Sequence, residues 1–291
     1  MKLDDLLKRL IVKPGRKISL KNDFDPSWTA DSLDKKSAGQ LLTDGIEKLA
    51  EYQDKLYAQN RNALLCIFQA MDAAGKDGAI KHVMSGINPQ GCQVVSFKQP
   101  SVEELDHDYL WRCVKALPEL GRIGIFNRSY YEEVLVTRVH PEYLASRDIK
   151  VSKDLWKQRF KQINHFEKYL TENGTTVLKF FLHVSRKEQK KRFLERIDRD
   201  EKNWKFSASD VKERAHWKEY MDAYEDCFNH TSTKWAPWYV IPADAKWFTR
   251  LCVAGTIYHT LQKMNPTYPD VGKEHKQQLQ EAKKILLAEK D

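Results

Sequence analysis

The residue types best suited to chemistry gather in one stretch, where Asp72, Gly75 and Lys76 stand within Gln69-Ala70-Met71-Asp72-Ala73-Ala74-Gly75-Lys76-Asp77-Gly78. An apolar run of strand type, Ala63 to Phe68, stops there, small residues follow, and Lys76 opens a helix-forming segment. That order sets unpaired backbone N–H groups and the positive end of a helix dipole just beyond a strand tip, a combination that favours phosphate. A lysine directly after a glycine reaches the same anion. Ala73, Ala74, Gly75, Lys76, Asp77 and Gly78 are therefore the candidate phosphate contacts. Two positions depart from the general phosphate-loop pattern: Ala70 replaces the first glycine, and Asp77 replaces the hydroxyl residue after the lysine. Asp72 adds a carboxylate to a site meant for an anion. Such charges repel unless a divalent cation bridges them, which makes Asp72 the candidate ligand for magnesium, with manganese also possible. The alternative is an ordinary strand–turn–helix with Lys76 in solvent.

A second polar tip, Asn127-Arg128-Ser129-Tyr130-Tyr131-Glu132, follows the apolar run Ile123–Phe126. In phosphate-loop kinases the corresponding strand ends in an aspartate that holds magnesium. Here Asn127 offers a weaker contact, and Glu132, one turn on, can restore the charge. Arg128 suits bidentate contact with phosphate oxygens, or it pairs with Glu132 or Glu133. Residues 186–214 are dense in cations, Arg192, Arg196 and Arg199 among them, and Asn203-Trp204-Lys205-Phe206-Ser207 interrupts the helical pattern. A mixed charge run is either a solvated helix face or a lid that closes on phosphate. The nine histidines have no zinc-type spacing, and the five scattered cysteines form no CxxC pair. A disulfide framework or zinc site is thereby disfavoured.

These tips need a scaffold. Apolar runs at 63–68, 92–97, 123–126, 175–184 and 238–241 alternate with helical stretches at 38–57, 76 onward, 101–117, 152–172, 186–230 and 246–264. The alternation predicts a three-layer α/β/α fold around a five-stranded parallel sheet, in which ligands bind beyond the strand C-termini. The 291 residues read as one domain, with an N-terminal arm at 1–36 packed over the body, a lid insertion at 186–214, and a polar helix from 272 docked on the surface. Hydrophobic content of 41% and aromatic content of 11% exclude general disorder. A net charge of +8 and a pI near 9.0 predict an acidic partner. Nucleic-acid-binding signatures are absent and no run approaches membrane-span length, so neither nucleic acid nor membrane is expected as a partner. The N-terminal residues have no apolar signal region, which points to the cytoplasm.

The loop Met71–Gly78, together with Ile87–Gly91, His107–Arg112, Gly124–Glu132 and Ala236–Asp244, resembles the polyphosphate kinase 2 family over residues 10–265. The resemblance implies a thymidylate-kinase-like phosphate-loop fold with a helical lid. It also implies Mg2+-dependent, reversible phosphoryl transfer between inorganic polyphosphate and nucleotides: AMP, ADP and ATP, with other nucleotides possible. The pair Asn127 and Glu132 resembles the subgroup that accepts both AMP and ADP. On this reading Asp72, Lys76, Arg128 and Glu132 are catalytic. Lys76 and Lys81 hold the reacting phosphates, Arg128 and Arg138 line a polyphosphate channel, and Arg192, Arg196 and Arg199 neutralise charge from the lid. Asn127, Arg128, Glu132 and Arg112 face the nucleotide, and a homo-oligomer, dimer or tetramer, is expected. The alternatives are an ATP-dependent kinase of a nucleoside monophosphate or small molecule and, more distantly, a basic polyanion-binding protein without catalysis.

Overall fold

The computed structural model describes residues 3–30, 32–152 and 154–289. Five strands, β1 (Ala63–Gln69), β2 (Cys92–Ser96), β3 (Ile123–Asn127), β4 (Thr175–His183) and β5 (Trp238–Pro242), form one parallel sheet in the order β2-β3-β1-β4-β5. β1 lies at the centre with all seven residues buried, as a continuous apolar run without alternation requires. Its register aligns Phe68 with both Asn127 of β3 and Phe180 of β4, so the three tips end side by side. The outer edge of β5 is capped by an antiparallel bridge from Ile11 to Tyr239, and Val12 N–H donates to the Trp238 carbonyl at 2.8 Å.

The helices that matter here are α1 (Leu3–Leu10), α2 (Lys35–Gln59), α3 (Lys76–Val83), α4 (Glu132–Val139), α5 (Leu155–Glu172), α6 (Arg186–Ile197), α7 (Ala208–Ala215), α8 (Trp217–Thr231), α9 (Lys246–Met264) and α10 (Lys273–Ala288). α2, α3 and α9 pack together, and α4, α5 and α8 form a second helical group. The three-layer α/β/α architecture expected from the alternation is present.

Local departures have local causes. The N-terminal arm contains a helix, α1, whose Leu6, Leu7 and Leu10 are buried on one face. The helix expected over 101–117 is two short ones, Val102–Leu105 and Trp111–Lys115. Ser101 and Glu104 do make the reciprocal cap that starts the first, but the Asp108 carboxylate accepts the Leu110 N–H at 2.9 Å and turns the chain between them. α10 buries none of its residues, where a docked helix was expected. Among the described residues no helix is long and apolar enough to cross a membrane.

Candidate functional site

The loop after β1 is bent by two residues with positive φ, Ala73 at 59° and Gly75 at 105°. Glycine adopts this region freely, whereas alanine there is strained by about 1–2 kcal/mol, and such strain concentrates at functional sites. Ala74 N–H turns back to the Met71 carbonyl at 3.2 Å. Gly75 caps α3, and its carbonyl accepts Ala79 N–H at 2.9 Å. The N–H groups of Lys76, Asp77 and Gly78 precede that bond, so the helix itself offers them no acceptor. They stand at the helix end that the spacing marks as a candidate for an anion.

Lys76 folds across the loop, with Nζ donating to the Ala70 carbonyl at 3.0 Å. Burial, and next the nearby Arg128 charge, hold its pKa below an ordinary lysine's, while the Asp72, Glu132 and Asp77 carboxylates oppose the shift. A phosphate placed there replaces that carbonyl with a full negative charge. Arg128 occupies the left-handed region as well, at φ 65°, and its N–H bonds the Phe68 carbonyl at 3.0 Å. Its guanidinium lies 3.2 Å from Asp72 Oδ1 and 3.8 Å from Glu132 Oε2. Of the two glutamates left open by the sequence, Glu132 is the partner, Asp72 is a second, and Glu133 pairs instead with Arg147 and Arg159; a half-exposed edge of the guanidinium remains. Buried Gln69 Nε2 donates to Ser129 Oγ at 3.2 Å and ties the β1 and β3 tips together. Asn127 Nδ2 donates to Asp77 Oδ1 at 2.8 Å and Ser96 Oγ at 3.3 Å, so it joins α3 to the sheet.

A divalent cation fits this set in one way. Among the described residues no three His, Cys, Asp or Glu side chains converge to cage an ion alone. Magnesium, however, is commonly held by one or two carboxylates together with substrate phosphates. Asp72 would supply the carboxylate at the loop; Asn127 Oδ1, which has no hydrogen-bond partner, is an unpaired hard oxygen at the β3 tip.

The remaining expected residues divide. Lys81 is exposed on α3 with no side-chain partner among the described residues. Arg138 pairs with Asp226 of α8 and lies over the Trp156 ring. Arg196 lies 3.4 Å from Asp210 of α7. Burial raises the Asp210 pKa, and the Asp72 charge raises it further. Arg199 is exposed and paired with Glu201. Arg112 donates to the Lys98 carbonyl at 2.8 Å and lies 3.4 Å from Glu104; its visible work is to fasten the turn after β2. Arg192 differs from the expectation most. It is 4% exposed, and its N–H groups are spent on backbone carbonyls behind the phosphate loop and on Glu188. The expected lid of 186–214 divides accordingly: α6 packs Gln189, Arg192 and Phe193 inward, and Trp204, in the segment between α6 and α7, is 77% exposed. Gln189, whose Nε2 donates to the Asp72 carbonyl at 2.9 Å, was not singled out from the sequence.

One wall of the site is backed by a buried polar cluster. Tyr130 and Tyr131, between Arg128 and Glu132, donate to Glu167 of α5 at 2.9 and 2.7 Å. Lys179 of β4 meets the same carboxylate at 2.6 Å. Burial raises the Glu167 pKa and lowers that of Lys179, and each charge counters the shift of the other.

Comparison with known proteins bears on the family and the fold. Residues 32–269 match the family model described as polyphosphate kinase 2. The chain is 50% identical over 287 residues to an ADP-polyphosphate phosphotransferase of Rhodopseudomonas palustris, covering 96% of this chain and 98% of that protein. It is 42% identical over 264 residues to an AMP/ADP-polyphosphate phosphotransferase of Meiothermus ruber, covering 90% and 96%. The crystal structure of polyphosphate kinase 2 from Arthrobacter aurescens TC1 superposes with a TM-score of 0.85 at 39% identity, covering 96% of both chains. With a phosphate loop, a second polar tip beside it and this match along most of its length, the chain belongs to the polyphosphate kinase 2 family.

Proposed function

We propose that this protein transfers a phosphoryl group between inorganic polyphosphate and AMP or ADP, forming ADP or ATP. The observation that carries the reading is the Asp72–Arg128–Glu132 chain of charges, which acts on Lys76 at the start of the helix whose first N–H groups are free. Two polyanions must approach each other for this reaction, so the catalyst has to neutralise and align them rather than supply a covalent nucleophile. The loop N–H groups and Lys76 bind the reacting phosphates. Arg128 offers a planar fork to the phosphoryl oxygens, and Glu132 orients that fork from one turn away. Mg2+, when bound at Asp72 with the substrate phosphates, would offset negative charge on the transferring group. Asp210 and Arg196 approach from the α6–α8 side, and closure of residues 198–215 as a lid would exclude water that otherwise hydrolyses the phosphoanhydride.

The anhydrides broken and made are similar, so the reaction is proposed to run in either direction with concentration. Use of AMP as well as ADP is attributed to Asn127 with Glu132. A homo-oligomeric state and a cytoplasmic location belong to the same proposal and are supported by the family resemblance. The test is incubation with Mg2+ and polyphosphate as sole donor, with AMP and ADP in parallel. ATP formed from ADP, and ADP formed from AMP, only when polyphosphate is present is the expected result. ATP formed from ADP equally without polyphosphate would point to nucleotide dismutation, and phosphorylation that requires ATP as donor would favour the ATP-dependent kinase.

A further inference from the structure

A phosphate loop works through its N–H groups, so its carbonyls must be held the other way. Across a planar trans peptide, the C=O of one residue and the N–H of the next point in opposite directions. Three successive loop carbonyls are fixed by two side chains of α6. Gln189 Nε2 donates to Asp72 O at 2.9 Å, and Arg192 Nη1 donates to Ala73 O at 3.1 Å and Ala74 O at 2.7 Å. Arg192 Nη2 continues to Ala243 O at 2.6 Å and Asp244 O at 3.0 Å beyond β5, while Nε meets Glu188 at 2.9 Å. A guanidinium has five N–H donors, and all are engaged here. None is left for a substrate oxygen. Gln189 and Arg192 are 1% and 4% exposed, so these bonds form away from water. The loop they grip contains the positive φ of Ala73, a strain that persists only where the surroundings impose it.

We propose that Gln189 and Arg192 are positioning residues: by holding the Asp72 and Ala74 carbonyls they aim the Ala73 and Gly75 N–H groups at the reacting phosphates, while the Ala74 N–H between them closes the loop onto the Met71 carbonyl. Arg214, at the end of α7, donates to Gln189 Oε1 at 2.7 Å and to the Arg186 carbonyl at 2.9 Å, so the same brace reaches the segment proposed as a lid. The proposal deepens the assignment of polyphosphate chemistry to this site and rests on it. It replaces the role of Arg192 as a direct neutraliser of charge.

The test compares full-length Gln189→Leu and Arg192→Lys with the wild type in three measurements. These are steady-state transfer from polyphosphate to ADP, calorimetric titration with inorganic triphosphate, and thermal melting. Gln189→Leu changes no charge and touches no substrate, yet it is expected to weaken triphosphate binding about tenfold and lower kcat/KM for polyphosphate by a similar factor, with KM for ADP unmoved. Arg192→Lys keeps the charge and loses the fork, and kcat/KM is expected to fall about 100-fold. Added guanidinium ion should restore part of the activity of Arg192→Ala, whereas ammonium should not. Wild-type triphosphate affinity in a folded Gln189→Leu protein would overturn the proposal, as would wild-type affinity in Arg192→Lys. If the Arg192 variants fail to fold, Gln189→Leu decides alone. A wild type that binds triphosphate but makes no ATP from polyphosphate would instead remove the assignment of the reaction, and the binding comparison would still decide the role of the brace.

Discussion

Replacing Lys179 with methionine should cost the protein about 3–5 kcal/mol, because it breaks a fully buried ion pair by removing one partner. Lys179 and Glu167 are both 0% exposed. The ammonium donates to Glu167 at 2.6 Å, to the Tyr131 hydroxyl at 2.9 Å and to the Thr231 carbonyl at 2.7 Å. Methionine fills much the same volume but leaves the carboxylate with two tyrosine donors and no countercharge. The Thr231 carbonyl also loses its lysine donor. At roughly 2 °C per kcal/mol for a chain of this size, the melting temperature should drop by about 6–10 °C. The double variant Glu167→Gln/Lys179→Met removes both charges and keeps an amide oxygen for the tyrosine hydroxyls, so it should recover about 2 kcal/mol relative to the single variant. Urea unfolding followed by tryptophan fluorescence gives both numbers, since the buried Trp238 ring lies 5.3 Å from the ammonium. A loss below about 1 kcal/mol in Lys179→Met, or a double variant weaker than the single, would refute the reasoning. The effect also bears on the site, because Tyr130 and Tyr131 tether the segment that carries Arg128 and Glu132.

Other outcomes follow from the same charges. Lys76 must be protonated to hold phosphate, and its pKa in the free enzyme lies below the ordinary value of about 10.4. Activity as kcat/KM should therefore be lost as pH rises through that lowered value, and Lys76→Arg should move the alkaline limb upward. His183, buried with Nδ1 unpartnered, has its pKa pushed down to about 4 by burial. Below about pH 6.5 the unfolded chain takes up a proton that the folded chain refuses, so stability should fall by roughly 3 kcal/mol between pH 6.5 and 4. Melting curves of His183→Gln should lack most of that acid loss. Gly75→Ala places a side chain at φ 105° and should reduce phosphate binding more than stability, read by triphosphate titration beside thermal melting.

Much of the scaffold was legible because parallel strands buried on both faces read as nearly continuous apolar runs, and β1 and β4 do, although β4 also buries Lys179 and His183. Once those strands alternate with helices, the rule that ligands bind beyond strand C-termini brings Asp72, Lys76 and Arg128 together without any coordinate. The charge run 186–214 misled for a physical reason. Composition says how many cations a segment has but not which way they face. Gln189, Arg192 and Phe193 share one helical phase, and buried Phe193 is the apolar marker that turns the other two inward. α1 had a readable signal as well, in the spacing of Leu3, Leu6, Leu7 and Leu10, masked by Pro14 and Gly15 just beyond it. Arg138 had none, because its partner Asp226 lies 88 residues away.

The account turns on the carboxylate of Asp72 at the mouth of the loop. Its ion pair with Arg128 is partly solvated and is worth at most about 1 kcal/mol to stability, so Asp72→Asn should fold and melt nearly as the wild type does. Its turnover of ADP with polyphosphate and Mg2+, measured as initial ATP formation, should fall by about 100-fold or more. Wild-type kcat in that folded variant would contradict the assignment of the reaction to this site.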